Sequence, residues 1–155
     1  MKAFQRLAML MSLLTTTALA SGSGEVVQQG KSSKFVDAYA CWQPEHFDKS
    51  KMLTSVMISG NKIDAAKAPS DCQKLRPLLG KYVELDFTAD KRLDMIGVYE
   101  GDVGFSTDAS DTLTLTHYDD KRIEGTYRTQ DETKKNSDGA YFDLKFAVDI
   151  PAAKK

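Results

Sequence analysis

Two histidines, two cysteines and several closely spaced carboxylates are the side chains whose chemistry could be put to use. His46 lies in a polar stretch between Glu45 and Asp48, and His117 belongs to an alternating segment with Leu113 and Leu115. A metal site needs three or four ligands brought together, and no H-x-H or H-x-x-x-H spacing occurs, so neither a metal nor a cofactor is expected. The nucleophile elbow G-x-S-x-G is missing too, and Gly22-Ser23-Gly24 is a poor substitute in a small-residue stretch. Glu84 with Asp86, and Glu100 with Asp102, each place two carboxylates on one side of an extended segment. A glycosidase would need such a pair in a cleft lined by aromatics; on the outward face of a strand, acids serve solubility and edge protection. No catalytic residue is therefore assigned. The aspartates of Gly101–Asp111 (GDVGFSTDASD) suggest calcium, but the order of ligands in a calcium loop and its distal glutamate are lacking.

Binding is the better expectation. Tyr82, Tyr118 and Tyr141 each stand on the side of a strand opposite its main apolar set, and neighbouring strands would bring their rings together. Phe105, in the glycine-containing loop, is a fourth candidate. Aromatics of this kind are enriched in binding surfaces. The leading expectation is a non-catalytic exported domain that binds a protein or cell-envelope partner. A carrier of a small hydrophobic ligand or lipid, held between the sheet and a short helix, is the alternative. Third comes a hydrolase with His46 or His117 beside acids in a cleft.

Export is expected from the N-terminus. Lys2 and Arg6 precede an apolar run, Leu7 to Leu14, and Ala18-Leu19-Ala20 has the small residues of a cleavage site, so residues 1–20 read as a signal peptide. The run is too short for a membrane span, and the product is expected in the periplasm or outside the cell. Removing Lys2 and Arg6 takes 21 basic and 22 acidic residues to 19 and 22, a formal charge of about -3. Basic residues are scattered or paired with acids, as in Asp90-Lys91-Arg92, so nucleic acid is not an expected partner. Cys41 and Cys72 permit a single pairing in an exported chain, and without a C-x-x-C spacing they are expected to form a structural disulfide.

The elements that must carry these residues are mostly strands. Residues 21–34 contain SGSG and few apolar side chains, and read as a flexible leader. One domain, 35–151, follows, with a tail at 152–155. FVDAYACW and MLTSVMIS read as a first hairpin whose connection holds His46. Ser70, with Gln73 as capping-box partner, starts the one convincing helix. Leu75, Leu78 and Leu79 would share its buried side, Pro77 makes it short or kinked, and Gly80 suits a left-handed exit. From Lys81 onward the period is two: Val83, Leu85 and Phe87 alternate with Tyr82, Glu84 and Asp86. Phe142, Leu144, Phe146, Val148 and Ile150 later form an unbroken apolar face. About seven strands and one short helix predict a mostly β fold, an antiparallel sheet closed into a barrel or folded into a two-layer sandwich.

ISGNKIDAAKA, KYVELDF, KRIEGTYRT and YFDLKFAVDI, in that order between Val56 and Ile150, resemble a loose family of small exported bacterial proteins of unassigned activity. The resemblance implies a mostly β exported domain and transfers no functional residue.

Overall fold

The computed structural model of the chain describes residues 20–101, 103–107, 112–136 and 139–152. The expected signal peptide apart from Ala20, the turn at Ser137-Asp138, and Asp102, Asp108 and Asp111 of the aspartate-rich loop lie outside the described residues, as does the tail beyond Ala152.

Two antiparallel sheets of five strands each face one another. Sheet A contains β1 (Ser21–Gln28), β2 (Lys31–Phe35), β8 (Thr112–Tyr118), β9 (Arg122–Arg128) and β10 (Ala140–Asp149), in the order β2-β1-β10-β9-β8. Sheet B contains β3 (Asp37–Pro44), β4 (Met52–Ser59), β5 (Lys81–Phe87), β6 (Leu93–Glu100) and β7 (Val103–Thr107), in chain order. Neither sheet closes on itself, so of the two expected architectures the fold is the sandwich. Its core lies between the sheets, where Val56, Ile58, Val83, Leu85 and Phe87 meet Ile123, Phe142, Leu144, Phe146 and Val148.

Three strands exceed the expected seven, and two of them correct the flexible leader. Ser21–Gln28 lies between β10 and β2, with Ser21 opposite Ala147 and Val26 opposite Phe142. Its glycines provide closeness here, not flexibility. A Cβ on Gly22 would come within 2.4 Å of the Ala38 Cβ, and one on Gly24, at φ +147°, within 2.2 Å of the Asp143 carbonyl oxygen. Composition alone cannot distinguish glycine that loosens a chain from glycine that lets two backbones touch. The third added strand, β7, runs through the loop expected at Gly101–Asp111.

The helix forms where expected, with changed details. Asp71, not Ser70, caps it, its carboxylate accepting from the Gln73 amide at 2.9 Å. α1 (Cys72–Leu75) runs directly into a 3-10 turn, Arg76–Leu78, because Pro77 cannot donate the next helical hydrogen bond. The tighter turn rotates Leu78 outward, so Leu75 and Leu79 are buried and Leu78 is not. Gly80 leaves at φ +66°.

Cys41 and Cys72 are bonded, with Cα atoms 5.1 Å apart, and tie the start of α1 to β3. The bond closes a segment with a sequence separation of 31 residues. Reduction, or the double substitution Cys41→Ala with Cys72→Ala, is expected to lower unfolding stability by about 3 kcal/mol through the freed unfolded chain. Urea titrations with and without reductant measure it.

Candidate functional site: a groove over a buried carboxyl pair

Alternation gives sheet B a second face, away from sheet A, and this face is largely covered. The registers align Cys41 with Ser55 and Asp86, and Tyr39 with Met57 and Glu84, so these side chains share it. On β6, Met95 and Gly97 lie opposite Asp86 and Glu84. α1 and its 3-10 turn lie over part of the face, where Leu75 and Leu79 pack with Tyr39, Met57, Tyr82 and the disulfide.

Beside that apolar contact is a polar cluster with almost no access to water. Glu84 is 2% exposed and Asp86 0%. Their expected role as exposed acids is overturned, because β5 is a central strand and its second face is roofed by the helix that Cys72 anchors. The Gln43 side-chain nitrogen lies 2.8 Å from Glu84 Oε1, 2.9 Å from Asp86 Oδ1 and 2.8 Å from Ser55 Oγ. Ser55 donates to Asp86 Oδ1 at 2.5 Å. Arg76 reaches down from the 3-10 turn and forks onto Glu84, Nη2 to Oε1 at 2.6 Å and Nε to Oε2 at 3.2 Å. The same guanidinium donates to the Gln43 carbonyl oxygen.

One positive charge therefore faces two carboxyl groups in this cluster. Asp86 Oδ2 has no hydrogen-bond partner among the described residues that requires it to be an anion. Burial, then the neighbouring charge of Glu84, push the Asp86 carboxyl up to about 7. The side-chain contact with Glu84 acts in the same direction, while the hydrogen bonds to Ser55 and Gln43 act against it. Tyr99 lies over two glycines, Gly97 of its own strand and Gly104 of β7: a Cβ on Gly97 would meet its hydroxyl at 2.6 Å and one on Gly104 its ring at 2.0 Å. The ring stacks on Tyr82 with centroids 5.3 Å apart. Burial, and after it the charges of Glu84 and Asp86, raise the Tyr99 hydroxyl above its ordinary value.

Clefts open on either side of Arg76. One of about 560 Å³ includes Trp42, Gln43, Met52, Gln73 and Arg76 in its lining. Another of about 560 Å³ includes Arg76, Tyr82, Glu84, Met95 and Tyr99. His46, Gln73 and Arg76 belong to both walls, so the clefts are confluent. A third, of about 410 Å³, continues past Trp42 and Met52 to Tyr118 and Pro151. Together they form one groove that bends around Arg76. Phe47, next to His46, is 99% exposed.

The four candidate aromatics are not brought together. Tyr82 is buried under the helix on the second face of sheet B, and touches the groove at its Tyr99 end. Tyr118 packs edge-on against Phe87 at the rim of the core, centroids 5.5 Å apart, and lines the far end of the groove. Tyr141 belongs to the opposite sheet, its hydroxyl donating to Glu132 at 3.0 Å and its ring beneath Lys135. Phe105 faces inward and packs against the core. His117 is bridged to Asp119 at 3.0 Å, while His46 is at the groove, far along the chain from any second histidine. Among the described residues no cluster of three or more histidine, cysteine or acidic side chains could hold a metal.

Residue pattern alone missed Arg76, Gln43 and the burial of Glu84 and Asp86. A signal was available: Gln43 follows Cys41 by two residues and Arg76 follows Cys72 by four, so the disulfide that joins Cys41 to Cys72 also brings Arg76 above Gln43. Comparison of the chain with protein-family models, with curated proteins and with solved structures finds no match.

Proposed function

We propose that the protein is an exported, non-catalytic domain that binds an extended segment of a partner protein in the groove around Arg76. The observation that carries this reading is that the three clefts share walls, His46, Gln73 and Arg76 between the first two and Trp42 and Met52 between the first and third, with apolar and polar side chains in the lining of each. Phe47 and Met52, large apolar side chains left in water, stand beside it. Aromatic anchors flanking a groove are the usual energetic centre of a protein interface. Export is supported by the disulfide and by the charged, apolar and small-residue order of the first twenty residues. Among the described residues no helix is long and apolar enough to cross a membrane.

The other readings have less behind them. The space between helix and sheet that a lipid would occupy is filled by Tyr39, Met57, Leu75, Leu79 and the polar cluster. A hydrolase would need its acids in contact with substrate, and Asp86 is sealed beneath Gln43 and Arg76.

A photoreactive benzoylphenylalanine at position 47, introduced into the exported protein in its own compartment, tests the proposal. A discrete protein adduct is expected at 47 and not at the exposed control Val103. Phe47→Ser is expected to weaken binding of the captured partner about tenfold or more. Equal labelling from both positions, or a turnover lost in Asp86→Asn, would sink the reading.

A further inference from the structure

We propose that the Glu84–Asp86 pair is an acid-tightened latch, which grips the helical cover through Gln43 and Arg76 and slackens when the proton held at Asp86 is lost. This device is independent of what the groove holds. Three observations lead to it. Both carboxyls lie within hydrogen-bond distance of the same Gln43 nitrogen, at 2.8 and 2.9 Å, so two negative charges there would repel at close range. Arg76 is committed to Glu84 and Gln43, with no hydrogen bond to Asp86. Asp86 Oδ2 lies wholly buried without a donor among the described residues.

Four elements supply the groups around Asp86. Glu84 comes from its own strand, Gln43 from β3, Ser55 from β4, and Arg76 from the cover. Tyr99 on β6 and Tyr82 on β5 lie beyond Glu84. Arg76 supplies the positive charge, and Glu84 already uses it. The pair therefore keeps one proton while the cover is shut. If the turn Arg76–Leu78 lifts, water reaches the carboxyls and the proton is released at an ordinary carboxylate pKa. Linkage then makes opening easier as pH rises, until the closed form has also lost its proton; above that point the effect levels off.

The disulfide sets the extent of the motion. Cys72 pins the first residue of α1 to β3, so motion is confined to about Arg76–Gly80, whose far end must also release the buried Leu79 side chain and the Ser59 hydrogen bond to the Leu79 carbonyl oxygen. That segment carries the Arg76 and Pro77 walls of the groove, and opening it would widen the cleft toward Tyr99.

Amide hydrogen exchange on the intact exported chain tests this. The probe is the Leu79 N–H, bonded to the Arg76 carbonyl at 3.1 Å, with the best-protected β10 amides reporting whole-domain unfolding. Leu79 is expected to be less protected than β10. Its protection factor should fall about tenfold per pH unit between about pH 5 and 7, then level off. Asp86→Asn, which keeps a neutral group of the same shape, should remove the slope. Should that variant not fold, Glu84→Gln serves in its place: Asp86 stays buried but loses the neighbouring charge, so the slope must move to lower pH. Equal protection at Leu79 and β10 at every pH, a flat wild-type profile, an undiminished slope in folded Asp86→Asn, or an unshifted one in folded Glu84→Gln overturns the latch.

Discussion

Arg76→Leu is expected to destabilise the domain by about 3 kcal/mol, among the largest effects available to a single substitution outside the main core. The reason is what the change leaves behind. Glu84 is 2% exposed and accepts two of the three Arg76 hydrogen bonds, so without the guanidinium its carboxylate remains buried with no positive charge against it in the cluster. The arginine side chain keeps a third of its surface in water, which places the loss at the lower end of the range for breaking a buried ion pair. Pairing Arg76→Leu with Glu84→Gln should recover most of it, because a neutral amide can stay beneath the cover at much smaller cost. Urea unfolding of the four proteins of this cycle at one pH above neutrality makes the measurement. Additive losses in the double variant would mean that the pair is not coupled.

Asp86→Asn should change the shape of the stability profile with pH. In the folded chain the Asp86 carboxyl is raised from 3.8 to about 7. Between those values the folded state holds a proton that the unfolded state has lost, so stability falls as pH rises through the window. The contribution is fully present below about pH 4 and gone above about 7. Roughly three pH units at 1.36 kcal/mol each make the span on the order of 4 kcal/mol. Asparagine cannot titrate, and its amide can donate to Glu84 while its oxygen keeps the Ser55 and Gln43 contacts. The difference between wild type and variant isolates Asp86, since both share the exposed acids whose pKa values are lowered, such as Asp48 and Asp119. Those acids act in the opposite sense, losing their stabilisation only as pH falls through the low folded values. A difference profile that is flat from pH 4 to 7 would place no bound proton at Asp86.

Much of the architecture was legible along the chain, for reasons that differ by segment. β10 announces itself because Phe142, Leu144, Phe146 and Val148 alternate with Asp143, Lys145 and the small Ala147, and all four are buried. The hairpin of β3 and β4 was readable because Pro44 and Gly60 bound two apolar runs. β1 was not, since two serines and two glycines at its start carry no alternation, and its strand state is imposed by β10 and β2 on either side. The binding candidates depended on strand order. Tyr82 and Tyr141 obey the same alternation in sequence, yet belong to different sheets.

The same distinction applies at the groove. Local chemistry alone determined that this chain builds antiparallel strands, that Pro77 breaks its helix early, and that its two cysteines had a single pairing open to them. Each of those results depends on neighbouring residues or on a single pairing, so a linear reading suffices. Whether Glu84 and Asp86 meet water was decided only in three dimensions. Alternation assigns a side chain to a face, but what covers the face depends on the strand order of the sheet and on where the helix tethered by Cys72 comes to rest. Once Arg76 and Gln43 are carried over β5, two ordinary acidic residues become a buried pair with one positive charge between them. Their proton and the groove above them are products of that packing.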